Sequence, residues 1–233
     1  GLAGSLRGAL SWGMSGVPFY AHDIGGFAIG NPHPDLLIRW AQAGIFASHT
    51  RFHGIGAREP YAYDEEVENI LRSWLEWRYR MIPYLQTCAS QANQTGLPIM
   101  RAMPLAFPEE PACWGFEEQY MLGNALLVAP VIRPDGRVKL YLPAGTWYDL
   151  WSGERLVGPV FIDKKVPLED IPVYGREGTW LPLGRAVQHT GQIDSSKPVE
   201  EIWTFGLLSH EIPGYPEIHH NSKAGELVKH TVI

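Results

Sequence analysis

The chain has 233 residues, 45% hydrophobic and 19% charged, with a formal net charge of −6. Such a length and composition suit one globular core or two modest domains. No Lys/Arg cluster could neutralise several phosphates, and the longest apolar runs, such as 125–131, are far too short to cross a bilayer, so neither nucleic acid nor membrane is an expected partner.

Residues 1–16 are rich in Gly, Ala, Ser and Leu. Leu2, Leu6, Leu10 and Met14 recur every four residues, which predicts a small-residue helix packed closely on a neighbour. Residues 17–21 read as a first strand. Pro34 and Asp35 open a helix over 34–43, with Leu36, Leu37, Trp40 and Ala41 at helical spacing and Gly44 at its end. Residues 45–48 read as a second strand, so the order is helix, strand, helix, strand. Asp64 then stands where an N-cap belongs, with Glu65, Glu66 and Glu68 in the first turns, where carboxylates favour the positive end of the helix dipole. Val67, Ile70, Leu71, Trp74 and Met81 make an apolar stripe, Pro83 kinks or ends the helix, and Gly96 closes the region.

After Gly96 the texture becomes β-rich. Strands are expected at 99–105, 125–132, 138–142, 146–150, 160–162, 171–174 and 179–183, separated by turn signals such as Pro134-Asp135-Gly136 and Pro143-Ala144-Gly145. Their even spacing predicts an antiparallel sandwich. Residues 199–205 read as one more strand, and 206–233 as a poorly ordered tail or the start of a further unit. The two cysteines, Cys88 and Cys113, form no disulfide framework and no CxxC pair, which points to a reduced compartment such as the cytoplasm. The chain opens on Gly without a signal-peptide pattern and reads as a piece of something longer.

Chemistry concentrates in two places, each an apolar run ending in polar residues with glycines behind, as at the C-terminal end of a buried parallel strand. In the first, Asp23 precedes Ile24-Gly25-Gly26. A carboxylate there can accept two hydroxyl donors; a turn aspartate capping the loop is the alternative. His22 would point to the opposite side of the strand. In the second, His53 follows Arg51 and precedes Gly54. A neutral imidazole can donate to one hydroxyl and accept from another, against the alternative of a structural histidine. Arg51 could orient a carboxylate or form a barrel salt bridge. Phe27 could face a pyranose ring or pack in the core. Trp147 and Trp151 could form a sugar platform, although a sandwich core suits them better. His22, Asp23, His49 and His53 could in principle hold zinc, but they lack HxH or HExxH spacing. No GxGxxG or Walker motif points to a nucleotide, and no cofactor is expected.

Five ordered motifs carry a family resemblance: His22-Asp23-Ile24-Gly25-Gly26-Phe27; Ser48-His49-Thr50-Arg51-Phe52-His53-Gly54; Arg78-Tyr79-Arg80-Met81-Ile82-Pro83-Tyr84-Leu85; Gln119-Tyr120-Met121-Leu122-Gly123 with Leu127-Val128-Ala129-Pro130-Val131; and the run from Leu142 to Trp151. Together, over roughly 1–205, they resemble glycoside hydrolase family 31. His-Asp-Ile-Gly-Gly-Phe and Arg-Phe-His-Gly look like its bacterial α-xylosidase branch, whereas α-glucosidases usually carry Ala-Asp-Ile-Cys-Gly-Phe and Arg-Asn-His. The resemblance implies a fold of α/β plus all-β class: the end of a (β/α)8 TIM barrel over 1–95, a proximal antiparallel β-sandwich over 96–185, and the truncated start of a distal β-domain with a tail over 186–233. A full barrel takes about 250 residues, so only its last two strands fit here.

Retaining glycosidases hold a nucleophile and an acid/base carboxyl about 5–5.5 Å apart. No carboxylate of this chain matches either of the family's two aspartates, which belong upstream of Gly1. Asp23 matches the family's hydroxyl-binding aspartate, His53 its ring-contacting histidine and Phe27 an aromatic of the pocket, with Arg51 beside them. The implied substrate is the α-xylosyl or α-glucosyl end of an oligosaccharide. The implied partner is the remainder of the catalytic barrel, and homo-oligomerisation of the intact enzyme stays open. The chain alone would be inactive. A non-catalytic carbohydrate-binding β-sandwich module is the competing reading.

Overall fold

A computed structural model describes residues 1–28 and 30–232. α1 (Leu2–Met14) leads to β1 (Ala21–Ile24), α2 (Pro34–Ile45) and β2 (His49–Phe52), and β1 and β2 pair in parallel with Asp23 opposite Arg51. α3 (Glu65–Arg80) and α4 (Ile82–Thr95) follow. The helices have local causes. The Asp64 carboxylate accepts from the Val67 amide at 2.9 Å at the start of α3, and Gly96, at φ +75°, ends α4 in the left-handed conformation. Asp64→Ala is expected to cost about 1 kcal/mol, read as a lower urea midpoint; an unchanged midpoint would remove the cap from the account. Within α1, Leu2, Leu6 and Leu10 are buried, but Met14 is exposed because the helix ends there and the chain turns at Ser15 and Gly16.

The strand boundaries near the site differ from the sequence reading, for physical reasons. The first strand begins at Ala21 rather than Val17. Tyr20 instead closes on the Ser48 side chain: its amide donates to Ser48 Oγ at 2.6 Å, and Ser48 Oγ donates to its carbonyl at 2.7 Å. The second strand begins at His49 rather than Ile45. Ile45 still belongs to α2, and Arg78 of α3 takes the carbonyls of Ile45, Ala47 and Ser48 at 2.7, 2.5 and 2.7 Å. Those acceptors are therefore held by a side chain rather than a ladder.

The rest is built from β3 (Met100–Ala102), the short α5 (Met103–Ala106), β4 (Tyr120–Leu122), β5 (Leu126–Val128), β6 (Arg137–Asp149), β7 (Arg155–Lys165), β8 (Val173–Arg176), β9 (Thr179–Leu183), β10 (Glu201–Phe205), α6 (Pro216–Asn221) and β11 (Leu227–Thr231). One sheet runs β3-β4-β5-β8-β6-β7, all antiparallel, and a second runs β11-β10-β9. The runs at 138–142 and 146–150 join in the single strand β6, whose register shifts between Leu142 and Gly145 instead of turning. β4 was missing from the sequence reading. Residues 186–233, read as the start of another unit, contribute β10 and β11 to the sheet that contains β9.

The largest core crosses residues 95 and 96. Leu6 of α1, Trp74 and Trp77 of α3 and Tyr84 of α4 pack with Tyr120, Leu126, Val173, Leu181 and Phe205. The six-stranded sheet buries its other face around Met121, Leu127, Leu140, Leu142, Trp147 and Tyr174. Polar contacts tie the same join: Arg39 of α2 donates to the carbonyls of Asp170 (2.6 Å) and Val166 (2.8 Å), and Tyr120 donates to Phe46 O (3.0 Å). The elements around the β1–β2 pair are therefore packed and hydrogen-bonded to the β-rich part of the chain. Among the described residues, no helix is long and apolar enough to cross a membrane.

Candidate functional site

The alternation of β1 sorts its side chains. His22 and Ile24 are buried; Ile24 packs on α2 with Leu37, Ile38 and Ala41, and its tip fills the space a Cβ on Gly44 would need. Ala21 and Asp23 turn to the other, open face. β2 does the same: Thr50 and Phe52 are half-buried, and His49 and Arg51 are exposed. In-register parallel pairing then sets Asp23 beside Arg51, and the Arg51 guanidinium lies 2.5 Å from Asp23 Oδ1. Asp23 keeps 25% of its side-chain surface and Arg51 keeps 56%; Oδ1 itself is buried, so a ligand would meet the rest of the carboxylate and the guanidinium.

The loops after the two strands bring in the other residues. Gly25 and Gly26 adopt φ of +87° and +82°, a conformation that side chains strongly disfavour, and turn the chain immediately after Ile24. Phe27 then lies against His53, with ring centroids 5.3 Å apart and planes tilted by 41°. The Phe27 carbonyl accepts from the Ile55 amide at 3.0 Å, and Asn31 Oδ1 accepts from the Ala57 amide at 2.9 Å, so the two loops are stitched together. Asp23, Arg51, Phe27 and His53 thus gather at the C-terminal ends of two neighbouring parallel strands. They offer a carboxylate, a guanidinium, an imidazole and an exposed aromatic ring: hydrogen-bonding groups for hydroxyls beside an apolar face.

Other candidates stand apart. His22 is buried against Tyr20, ring centroids 5.2 Å apart, and neither ring nitrogen has a hydrogen-bond partner. Burial pushes its pKa from 6.5 down to about 4, against a smaller opposing pull from Asp23. His49 contacts Phe19 on the open face, centroids 5.6 Å apart. Among the described residues, no group of three His, Cys, Asp or Glu side chains is placed to hold a metal ion. Trp147 is fully buried in the sheet core, with its indole donating to Pro143 O at 2.8 Å. Trp151 lies at the surface, set edge-on to Trp74 and Trp77, and its indole donates to Ile171 O at 2.7 Å. The two tryptophans therefore share no platform.

One residue escaped the sequence reading. Arg58, in the loop after β2, is only 2% exposed. It donates to the carbonyls of Gly26, Gly30 and Ala57. A lone arginine before Glu-Pro reads as solvated charge, and the only signal available was the glycine at 25, 54 and 56 in the surrounding loops.

Comparison with known proteins places these elements. Residues 1–88 match the glycosyl hydrolases family 31 TIM-barrel domain, and residues 96–181 match the glycosyl hydrolase family 31 C-terminal domain. Over 199 residues the chain is 33% identical to Alpha-glucosidase 2 of Bacillus thermoamyloliquefaciens, covering 84% of this chain and 25% of that protein. It is 35% identical over 189 residues to an alpha-xylosidase of Saccharolobus solfataricus, covering 78% and 26%. The crystal structure of a family 31 α-xylosidase from a soil metagenome, complexed with xylose, superposes with a TM-score of 0.70 at 37% identity, covering 75% of this chain and 30% of that one. The chain spans about a quarter of the length of the curated relatives it matches.

Proposed function

The chain belongs to glycosyl hydrolase family 31, and on that premise we propose that it supplies the sugar-holding side of a retaining α-glycosidase site. The two bond-breaking carboxylates would come from barrel strands outside these residues. The observation that carries this reading is the pairing of Asp23 with Arg51 on the open face of β1 and β2, with Phe27 against His53 in the loops that follow the two strands.

The division of labour follows from the groups. Asp23 accepts hydrogen bonds from two sugar hydroxyls, and Arg51, anchored on its Oδ1, holds the carboxylate in one orientation. His53 offers a donor and an acceptor to a neighbouring hydroxyl, and Phe27 covers the apolar edge of the ring. These contacts fix the ring and favour an oxocarbenium-like transition state without entering the bond changes. The −1 sugar is proposed as an α-xylosyl unit, with α-glucosyl the nearest alternative. In support, His22-Asp23-Ile24-Gly25-Gly26-Phe27 has the xylosidase-type pattern, and an α-xylosidase is among both the sequence relatives and the structural neighbours. The proposed partner is the remaining part of the barrel, which would continue the two-stranded β1–β2 sheet.

Titration with xylose, followed by calorimetry, tests the reading. The wild-type chain is expected to respond, and Asp23→Ala and His53→Ala to weaken binding at least tenfold, about 1.4 kcal/mol. The chain alone is expected to leave an aryl α-xyloside intact. Binding that survives both substitutions, or turnover by the isolated chain, would overturn it. Binding lost only in Trp147→Ala would favour the carbohydrate-module reading instead, although the complete burial of Trp147 counts against it.

A further inference from the structure

We propose that Arg58 is a positioning residue for this site: its guanidinium sets the spacing between the two loops that carry Phe27 and His53. The proposal rests on the sugar-holding reading for its functional consequence, but the geometry stands on its own.

The loop after β1 turns on two glycines and presents the carbonyls of Gly26 and Gly30 to Arg58. Arg58 enters from the loop after β2 and donates to these two carbonyls, which bracket Phe27 in sequence. A third donation, to Ala57 O at 2.9 Å, fixes the same guanidinium to its own loop. One planar group thus bridges both loops. Lysine has a single nitrogen and cannot reproduce a fork that reaches carbonyls in different directions.

The surrounding glycines are shaped to this group. A Cβ on Gly25 would stand 2.7 Å from Arg58 Cδ, and one on Gly54 would stand 2.8 Å from Arg58 Nη2. Those two glycines flank the site, one two residues after Asp23 and the other directly after His53. Tyr63 closes the arrangement, with its hydroxyl donating to Ala57 O at 3.1 Å. The guanidinium is therefore inaccessible to a sugar and acts on it only through the two rings it spaces.

Nuclear magnetic resonance on the chain carries the test. Phe27→Leu removes the aromatic ring and defines the His53 ring-proton shifts without its ring current. Arg58→Lys is expected to move those shifts at least half-way to that reference. It is also expected to speed exchange of the Ile55 amide, which donates to Phe27 O, at least tenfold, while α3 amides are unchanged. Xylose affinity should fall at least tenfold in Arg58→Lys. Asp23→Ala should also lose affinity but keep the ring-current shift, which separates spacing from direct contact. If wild-type chain ignores xylose, the sugar reading fails and the shift and exchange data still judge Arg58. If Arg58→Lys does not fold, the wild-type chain decides: the Arg58 Nη protons should appear as separate, slowly exchanging resonances. A freely rotating guanidinium, or an Arg58→Lys chain with wild-type His53 shifts and Ile55 exchange, would overturn the proposal.

Discussion

Lowering the pH from 7 towards 4 is expected to remove about 3 kcal/mol of folding stability through one side chain, His22. The ring is buried, neither nitrogen has a partner, and burial holds its pKa near 4 against 6.5 for an exposed imidazole. Between those values the unfolded chain takes up a proton that the folded chain refuses, so stability rises with pH across that window. The contribution is complete above about pH 6.5 and disappears as pH falls to about 4. The slope is about 1.4 kcal/mol per pH unit between these limits. His230, whose pKa burial also lowers, acts in the same direction. Replacing His22 with Phe isolates the effect. An apolar ring leaves no orphaned nitrogen, so His22→Phe should change stability at pH 7 by less than about 1 kcal/mol. At pH 4.5 it should be the more stable of the two by about 2–3 kcal/mol. Urea midpoints at pH 7, 5.5 and 4.5 would show this, and parallel pH profiles for the two chains would refute it.

The same histidine shows what could be read from the sequence. Alternation alone put His22 and Asp23 on opposite sides of a strand, and the residues gathered at the site were identified from motif and residue chemistry. The helix beginning at Asp64 was legible because its start lies within five residues: a cap and three glutamates, with the apolar stripe opening among them at Val67. The end at Gly96 was legible for the same reason. The strand boundaries were not. Residues 17–20 and 45–48 have strand-like composition, but Tyr20 closes on the Ser48 side chain and the carbonyls of Ile45, Ala47 and Ser48 on Arg78, each partner about 30 residues distant in sequence. β4 is three residues long, too short to show a period. β6 was read as two strands because Pro143-Ala144-Gly145 resembles a turn, whereas the partner β7 pairs on both sides of it and carries the chain through. Arg58 is the extreme case, because its importance lies in carbonyls that have no sequence signature. Local chemistry was visible; long-range satisfaction of backbone groups by side chains was not.

Arg78 sets the second large expectation. Replacing it with Met is expected to destabilise the chain by about 3–5 kcal/mol, the range for leaving several backbone carbonyls at the core without a donor. Its guanidinium reaches the carbonyls of Ile45, Ala47 and Ser48, all within 2.7 Å, where α2 ends and the chain turns into β2. Ile45 and Ala47 are fully buried, so water cannot replace the lost donors without opening the core. The cost of burying the charge is visible in its pKa, which desolvation lowers to about 10, and Met keeps most of the stem while deleting the charge. The loss therefore comes from orphaned carbonyls rather than from a cavity. Arg78→Lys retains one donor centre and should fall between, at about 2 kcal/mol. Equilibrium urea unfolding measures all three chains, and a loss below 1 kcal/mol for Arg78→Met would show that these carbonyls find other donors. The consequence reaches the site, because the same carbonyls determine where β2 starts. A strand released at Ser48 can slip against β1, and a slip of one residue would turn Arg51 away from Asp23. Even the folded fraction of Arg78→Met is then expected to bind xylose at least tenfold more weakly, although Arg78 donates to carbonyls just before β2 and not to a residue of the proposed site.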